Sequence, residues 1–125
     1  MPLMVDVLVV SDEPWVIDAV RAALATAEYS LTEISNPHAA ADHAATTDVA
    51  VVDLQIGSMG GMAVTRELRS VADPAPPIIV LLDRDADAFL ASRAGASASV
   101  RKPLEGFALR DTIDGLLTGR APVTG

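Results

Sequence analysis

Three aspartates and one lysine lie at the ends of short apolar runs in the sequence. Asp12, Asp53 and Asp83 follow three such runs, and Lys102 follows a fourth. Crowded carboxylates raise one another's pKa values, and a hard divalent cation such as magnesium (Mg2+) relieves this repulsion. A carboxylate is also a nucleophile toward phosphorus, with which it forms an acyl phosphate. If these residues share one pocket, the chemistry that they support is magnesium binding and phosphoryl transfer.

Each of these residues has a possible role in that chemistry and an ordinary alternative. Asp12, Asp53 and a backbone carbonyl near Gln55 could bind the metal, while Lys102 would pair with phosphoryl oxygens as a point charge. Lys102 is the only lysine in the chain, since the other eight basic residues are arginines. A single strand-end aspartate is usually a turn or helix-cap residue, and a lysine before Pro103 could be an ordinary surface residue. The occurrence of all four residues at the ends of apolar runs is harder to explain by these ordinary roles than any one of them alone.

The elements that would position these residues alternate between strand and helix five times. Short apolar, β-branched runs predict strands at residues 4–10, 30–35, 49–52, 78–82 and 97–100. Apolar residues at helical spacing predict helices that begin near Pro14, Pro37, Val64, Asp85 and Leu109. Pro14 suits a helix start, and Gly95 suits a helix end. The second run alternates weakly between apolar and polar residues, which is typical of an edge strand.

This alternation predicts an α/β fold with a parallel sheet and helices on both faces, a doubly wound (βα)5 three-layer sandwich. The carboxyl ends of parallel strands lie at one edge of the sheet, where open α/β sheets bind ligands. Topology would therefore bring the three aspartates and the lysine together. We predict one domain over residues 1–120 and a disordered tail at residues 121–125.

Length and composition exclude several classes of function. The 125 residues fit one domain, and the absence of cysteine excludes disulfides and thiolate chemistry. With nine basic against seventeen acidic residues and a net charge of −8, direct nucleic-acid binding and anionic membranes are disfavoured. No apolar run approaches the roughly 20 residues that span a bilayer. Without a visible secretory signal, we predict a cytoplasmic location.

Several segments carry a resemblance to a known family. They read VLVVSDEP at residues 7–14, VVDLQIGSMGG at 51–61, PIIVLL at 77–82, and AGA at 94–96 followed by Lys102-Pro103. In this order and spacing the chain resembles the receiver domain of two-component response regulators, of the chemotaxis-regulator type. The resemblance covers essentially the whole length. It implies the flavodoxin-like strand order 2-1-3-4-5.

The resemblance also implies roles for the strand-end residues. Asp53 would accept a phosphoryl group from a sensor histidine kinase or a phosphotransfer protein, and Lys102 would contact the phosphate. Asp12 and Asp53 would bind Mg2+ together with the backbone carbonyl of Gln55, and the bond before Pro103 would be cis. Such a domain is a phosphoacceptor rather than an enzyme, at most catalysing its own phosphorylation and dephosphorylation. It signals through a downstream protein partner that reads the last two strand–helix units.

Four positions depart from the family pattern. Ser11 replaces the first residue of the usual acidic pair, and Leu82 replaces the small hydroxyl residue that ends strand four. Asp83 follows where a small residue is normal, and Ser99 takes the aromatic switch position in strand five. A lost hydrogen bond to a charged group costs roughly 1.5–3 kcal/mol. We therefore expect an atypical receiver whose usual conformational coupling is missing.

Three functional hypotheses follow from these residues. The first is a stand-alone receiver in a phosphorelay, phosphorylated on Asp53. The second is a pseudo-receiver that docks to a partner without phosphate, which Leu82, Asp83 and Ser99 favour. The third is a small α/β enzyme with an aspartyl-phosphate or nucleotide site, although no G-x-G-x-x-G follows the first strand.

The helix at residues 85–94 and the last helix are candidate interaction faces. Phe89 and Leu90 are either exposed there or packed on the sheet. Arginines close to this face predict a basic rim: Arg84, Arg93 and Arg101. Homodimerisation through the same face is a further hypothesis.

Overall fold

Five parallel strands form the single sheet of the molecule, for which a computed structural model describes residues 4–57, 60–105 and 107–118. The strands are β1 (Val5–Val10), β2 (Tyr29–Ile34), β3 (Val49–Asp53), β4 (Ile78–Leu82) and β5 (Ala98–Arg101). Their order is β2-β1-β3-β4-β5, which confirms the predicted topology and the edge position of the second strand. The tail predicted at residues 121–125 lies outside the described residues.

Helical segments connect the strands. The α-helices are α1 (Pro14–Ala23), α2 (Gly61–Val71), α3 (Ala88–Ala94) and α4 (Ala108–Leu117). Pro14 occupies the first turn of α1, and Gly95 ends α3 with a φ of 112° in the left-handed region, as predicted for both. No helix within the described residues is long and apolar enough to cross a membrane.

Two of the predicted helices differ from an α-helix. The second crossover, Pro37–Thr46, is a 3₁₀ helix, and the fourth begins with a 3₁₀ turn, Asp85–Asp87, before α3. In the second crossover the Asn36 side chain caps the first turn by accepting a hydrogen bond from the His38 backbone N–H. Three small residues of this segment are buried against the sheet: Pro37, Ala40 and Ala44.

The core consists of two aliphatic layers, one on each face of the sheet. Successive side chains of a strand point to opposite faces, so Ile79 and Leu81 of β4 pack in one layer and Ile78, Val80 and Leu82 in the other. Helices α1 and α4 cover the first layer, while the 3₁₀ helix, α2 and α3 cover the second. The three-layer sandwich predicted from the sequence is therefore confirmed.

The register of the strands brings their carboxyl ends together. Val10 of β1 is paired with Val52 of β3, Asp53 with Leu81 of β4, and Leu82 with Arg101 of β5. Residues that follow these pairs consequently emerge side by side at one edge of the sheet.

Candidate functional site

Asp53 is the last residue of β3, and its side chain is completely buried. One carboxylate oxygen, Oδ1, accepts hydrogen bonds from the Lys102 ammonium at 2.7 Å and from the backbone N–H of Gln55 at 3.1 Å. The other, Oδ2, accepts a hydrogen bond from the Ser11 hydroxyl at 2.9 Å. Three elements of the chain thus bind a single buried anion, which satisfies both of its oxygens.

Gly61, the first residue of α2, lies against the backbone of Asp53 and allows the loop between them to turn tightly. A Cβ atom on Gly61 would lie 2.5 Å from the carbonyl oxygen of Asp53 and 2.7 Å from the Cα of Leu54. The Gly61 backbone N–H donates to the Leu54 carbonyl at 3.0 Å. Only glycine permits this approach, so the start of α2 packs directly against the backbone that carries the buried carboxylate.

Ser11 connects β1 to the start of α1. Its buried hydroxyl donates to Asp53 and accepts a hydrogen bond from the Glu13 backbone N–H at 3.2 Å. A carboxylate in place of Ser11 would repel Asp53, whereas the hydroxyl stabilises its negative charge.

Lys102 follows β5 and lies between two carboxylates. Its ammonium contacts Asp53 Oδ1 at 2.7 Å and Asp83 Oδ1 at 3.2 Å, and the Lys102 side chain is only 5% exposed. The indole ring of Trp15 lies on the same ammonium, 5.6 Å from ring centroid to nitrogen, within the range of a cation–π contact. The peptide bond from Lys102 to Pro103 is cis, where the resemblance implies a cis bond.

Asp12 lies next to this group and is exposed. Its Oδ2 accepts a hydrogen bond from the Gly57 backbone N–H at 3.1 Å. Since the N–H of Gln55 binds Asp53, a single loop of the chain contacts both carboxylates. The structure therefore brings Asp12, Asp53 and Lys102 to one edge of the sheet.

The response regulator receiver domain family matches residues 7–114. This chain belongs to that family. The matched range contains most of β1, all of the other four strands and most of α4, and it includes the strand-end residues described above.

Curated relatives of this receiver domain are response regulatory proteins. An uncharacterized response regulatory protein of Mycobacterium tuberculosis, found in two strains, is 37% identical over 75 residues, which are 60% of this chain. The matched segment spans 55% of that relative's length.

Solved structures share the fold of the receiver domain. A two-component response regulator of the LuxR family from Aurantimonas sp. SI85-9A1 superposes with a TM-score of 0.83 at 27% identity, covering 94% of this chain and 88% of that one. The receiver domain of a sensor histidine kinase from Pseudomonas aeruginosa PAO1 superposes with a TM-score of 0.81 at 22% identity, covering 92% and 98%. The latter crystal structure has a magnesium ion in its active-site cleft.

The residues predicted from the sequence to bind a metal are Asp12, Asp53 and the backbone carbonyl of Gln55. In the part of the chain that the structure describes, no group of three or more His, Cys, Asp or Glu side chains is arranged to hold a metal ion. This small donor set of oxygens fits an ion that keeps several of its water ligands, as Mg2+ does.

The atypical switch positions have structural roles. Leu82 is 2% exposed and packs in the core layer under α2 and α3, so it presents no polar atom to the site. Ser99 is half-buried and pairs with Val80 in register. Asp83 points to Lys102 rather than away from the site.

The surface of α3 carries two large exposed apolar side chains. Phe89 is 67% exposed and Leu90 is 55% exposed, which decides between the two alternatives left open by the sequence. The arginines expected to form a basic rim have partners: Arg84 pairs with Asp87, Arg101 pairs with Asp85, and Arg93 lies over the Phe89 ring. This face therefore carries exposed apolar side chains, and in the expected basic rim the charges of Arg84 and Arg101 are offset by Asp87 and Asp85.

Sequence reasoning missed three contributors to the site: Trp15, Gly57 and Gly61. Nothing in the sequence indicated that Trp15 contacts Lys102. Gly61 permits a close backbone approach at the start of α2. A glycine between a candidate functional aspartate and a predicted helix is the signal that could have identified Gly61.

Proposed function

We propose that this receiver domain takes part in a two-component phosphorelay by accepting a phosphoryl group on Asp53. The observation that carries the proposal is the buried ion pair between Asp53 and Lys102 at the carboxyl edge of the sheet. Replacement of a buried ion pair by apolar residues is often neutral or stabilising, so such a pair contributes little to folding by itself. A carboxylate that can attack phosphorus beside an ammonium that can pair with the transferred group gives this pair a chemical purpose.

In the proposed step, an Asp53 carboxylate oxygen attacks the phosphorus of a phosphohistidine on a sensor histidine kinase or phosphotransfer protein. The new P–O bond forms as the P–N bond breaks, and the imidazole leaves with its electron pair and takes a proton from solvent. Lys102 then pairs with the phosphoryl oxygens. Attack requires that Asp53 exchange one of its present hydrogen bonds, from Ser11 or from Lys102, for the phosphorus.

Magnesium would be held by Asp12, Asp53 and the backbone carbonyl of Gln55. When bound, it supplies positive charge that neutralises the phosphoryl oxygens. Isothermal titration with MgCl2 measures this binding, with Asp12→Ala and Asp53→Ala as controls. Weak binding that both substitutions abolish is expected, and heat unaffected by either substitution would contradict the assignment.

Intact-mass spectrometry after reaction with acetyl phosphate and Mg2+ tests the phosphoacceptor proposal. We expect a gain of one phosphoryl group that is absent in Asp53→Asn and present in Asp48→Asn. Asp48 is a suitable control because its exposed carboxylate accepts a backbone hydrogen bond from Asp6 and lies before the amino end of β3, whereas Asp53 is at the carboxyl end. A wild-type protein that forms no adduct at saturating donor and metal would contradict the proposal.

A second candidate function is a pseudo-receiver that docks to a partner without phosphate. Two observations favour it: the carboxylate of Asp53 is fully buried with both oxygens bonded by the chain itself, and Leu82 offers no hydroxyl. In either case the downstream protein partner would bind near the exposed α3 surface, and a homodimer through that surface is a related proposal. Sedimentation that shows only monomer at high concentration would contradict the homodimer.

A further inference from the structure

Asp83 adds a second carboxylate to the phosphoacceptor site. It follows β4 directly, and its Oδ1 lies 3.2 Å from the Lys102 ammonium. Asp83 is 39% exposed, whereas Lys102 is 5% exposed and Asp53 is fully buried. The carboxylate of Asp83 therefore contacts the ammonium from the solvent side, and Asp53 contacts it from within.

The sheet holds Asp83 in this place. Leu82 pairs in register with Arg101, and the Lys102 backbone N–H donates to the Leu82 carbonyl at 2.7 Å. Residues 83 and 102 consequently leave the sheet side by side. Because the Leu82 side chain is buried in the core, the backbone immediately before Asp83 is fixed.

The arginines that neighbour this edge in the sequence already pair with other carboxylates. The nearest arginines along the chain, Arg84 and Arg101, pair with Asp87 and Asp85 at 3.1 Å each. Asp53, Asp83 and Lys102 together carry a charge of −1. Phosphorylation of Asp53 would make the group more negative still, and its new oxygens would need the same ammonium.

We propose that Asp83 is a positioning residue that competes with the incoming phosphoryl group for Lys102 and so limits phosphorylation. This inference rests on the proposed phosphoacceptor function of Asp53. The Asp83 carboxylate holds the ammonium while the site is unphosphorylated and repels the negatively charged donor. Removal of its charge frees Lys102 for the phosphoryl oxygens.

The test compares three variants by the initial rate of adduct formation with acetyl phosphate at fixed Mg2+. Asp83→Asn keeps the size of the side chain and removes its charge, and we expect its rate at low donor to rise roughly three- to tenfold, as for loss of a partly screened like charge. The change should appear as a lower half-saturating concentration of acetyl phosphate. Asp83→Glu, which retains the charge, should stay close to the wild type.

Asp85→Asn is the matched control. It changes the net charge by the same amount two residues away, but its carboxylate is 78% exposed and pairs with Arg101. We expect its rate to match the wild type. If Asp83→Asn folds poorly by urea denaturation, Asp83→Ser provides the same loss of charge at this partly exposed position.

The outcomes separate the two proposals. A wild-type adduct whose rate is unchanged in Asp83→Asn, or raised equally in Asp85→Asn, overturns the role of Asp83 alone. An adduct in Asp83→Asn that is faster than in wild type and Asp83→Glu supports it. Absence of an adduct in the wild type and every variant overturns the phosphoacceptor function of Asp53, and the role of Asp83 with it.

Discussion

Two ion pairs of this receiver domain have similar chemistry and opposite surroundings. Lys102 and Asp53 meet at the carboxyl edge of the sheet with side chains that are 5% and 0% exposed. Arg21 of α1 and Glu33 of the edge strand β2 meet on the surface, with side chains that are 56% and 25% exposed. Arg21 donates two hydrogen bonds to Glu33, so the surface pair has the more favourable geometry.

The two pairs differ in how far water solvates their charged groups. Both groups of the surface pair remain solvated if they separate, so the pair adds little to stability. The groups of the buried pair have lost their hydration, and removal of Lys102 would leave the Asp53 carboxylate as an uncompensated buried charge. A buried charged pair where strand ends converge is therefore a candidate functional site rather than a device for folding.

The largest expected effect comes from Lys102→Met, which leaves the Asp53 carboxylate buried without its cation. We expect a loss of about 3–5 kcal/mol in the free energy of unfolding, measured by urea denaturation at neutral pH. The double variant Asp53→Asn with Lys102→Met should recover much of this loss because no buried charge remains unpaired. If Lys102→Met is as stable as the wild type, the buried pair matters no more to stability than the surface pair does.

Ser11→Ala should have the next largest effect. It removes the hydroxyl that donates to Asp53 Oδ2 at 2.9 Å, and we expect a loss of about 2 kcal/mol because the acceptor is a buried charge. Thr26→Ala is the matched control: the Thr26 hydroxyl donates to the exposed Glu28 carboxylate at 3.2 Å. Thermal denaturation of both variants should show a large shift for the first and almost none for the second, and similar shifts would contradict the prediction.

Gly61→Ala tests how rigidly the backbone of Asp53 is held. The added Cβ would lie 2.5 Å from the Asp53 carbonyl oxygen, so the loop or α2 must shift. Overpacking of this kind costs about 1–3 kcal/mol, partly offset by the helix propensity of alanine. Urea denaturation should show a net loss in the free energy of unfolding. A variant more stable than the wild type would show that the loop moves easily to accommodate the added methyl group.

Glu33→Gln should have the smallest effect, close to the limit of what denaturation measures. Hydrogen bonds from Arg21 hold the pKa of the Glu33 carboxyl below its ordinary value. A lowered pKa contributes stability above the ordinary pKa and loses it as the pH falls through the folded-state value. The difference in the free energy of unfolding between wild type and Glu33→Gln should therefore vanish in acid. A difference that grows in acid would contradict the lowered pKa of Glu33.

The fold could be predicted from the sequence because its signals are local and repeated. Each buried strand is a short β-branched run, Pro14 begins α1, and Gly95 ends α3, all of which the structure confirms. The 3₁₀ geometry of Pro37–Thr46 could not be predicted, since an alanine-rich segment offers few large side chains whose spacing would separate a 3₁₀ from an α-helix.

For the candidate site, the sequence predicts which strand ends meet but not how their side chains contact one another. Strand ends gave the convergence of Asp12, Asp53 and Lys102, because a parallel sheet places all such ends at one edge. The direction of the Asp83 carboxylate and the donation from Ser11 depend on side-chain rotamers at loop positions, which periodicity does not determine.

The contact between Trp15 and Lys102 gives the protein a built-in optical probe. Trp15 is the chain's only tryptophan, so all indole emission originates 5.6 Å from the ammonium. Indole fluorescence is sensitive to a nearby positive charge. Any event that draws the Lys102 side chain away should therefore change the emission of the unlabelled protein, and stopped-flow mixing can follow that change in real time.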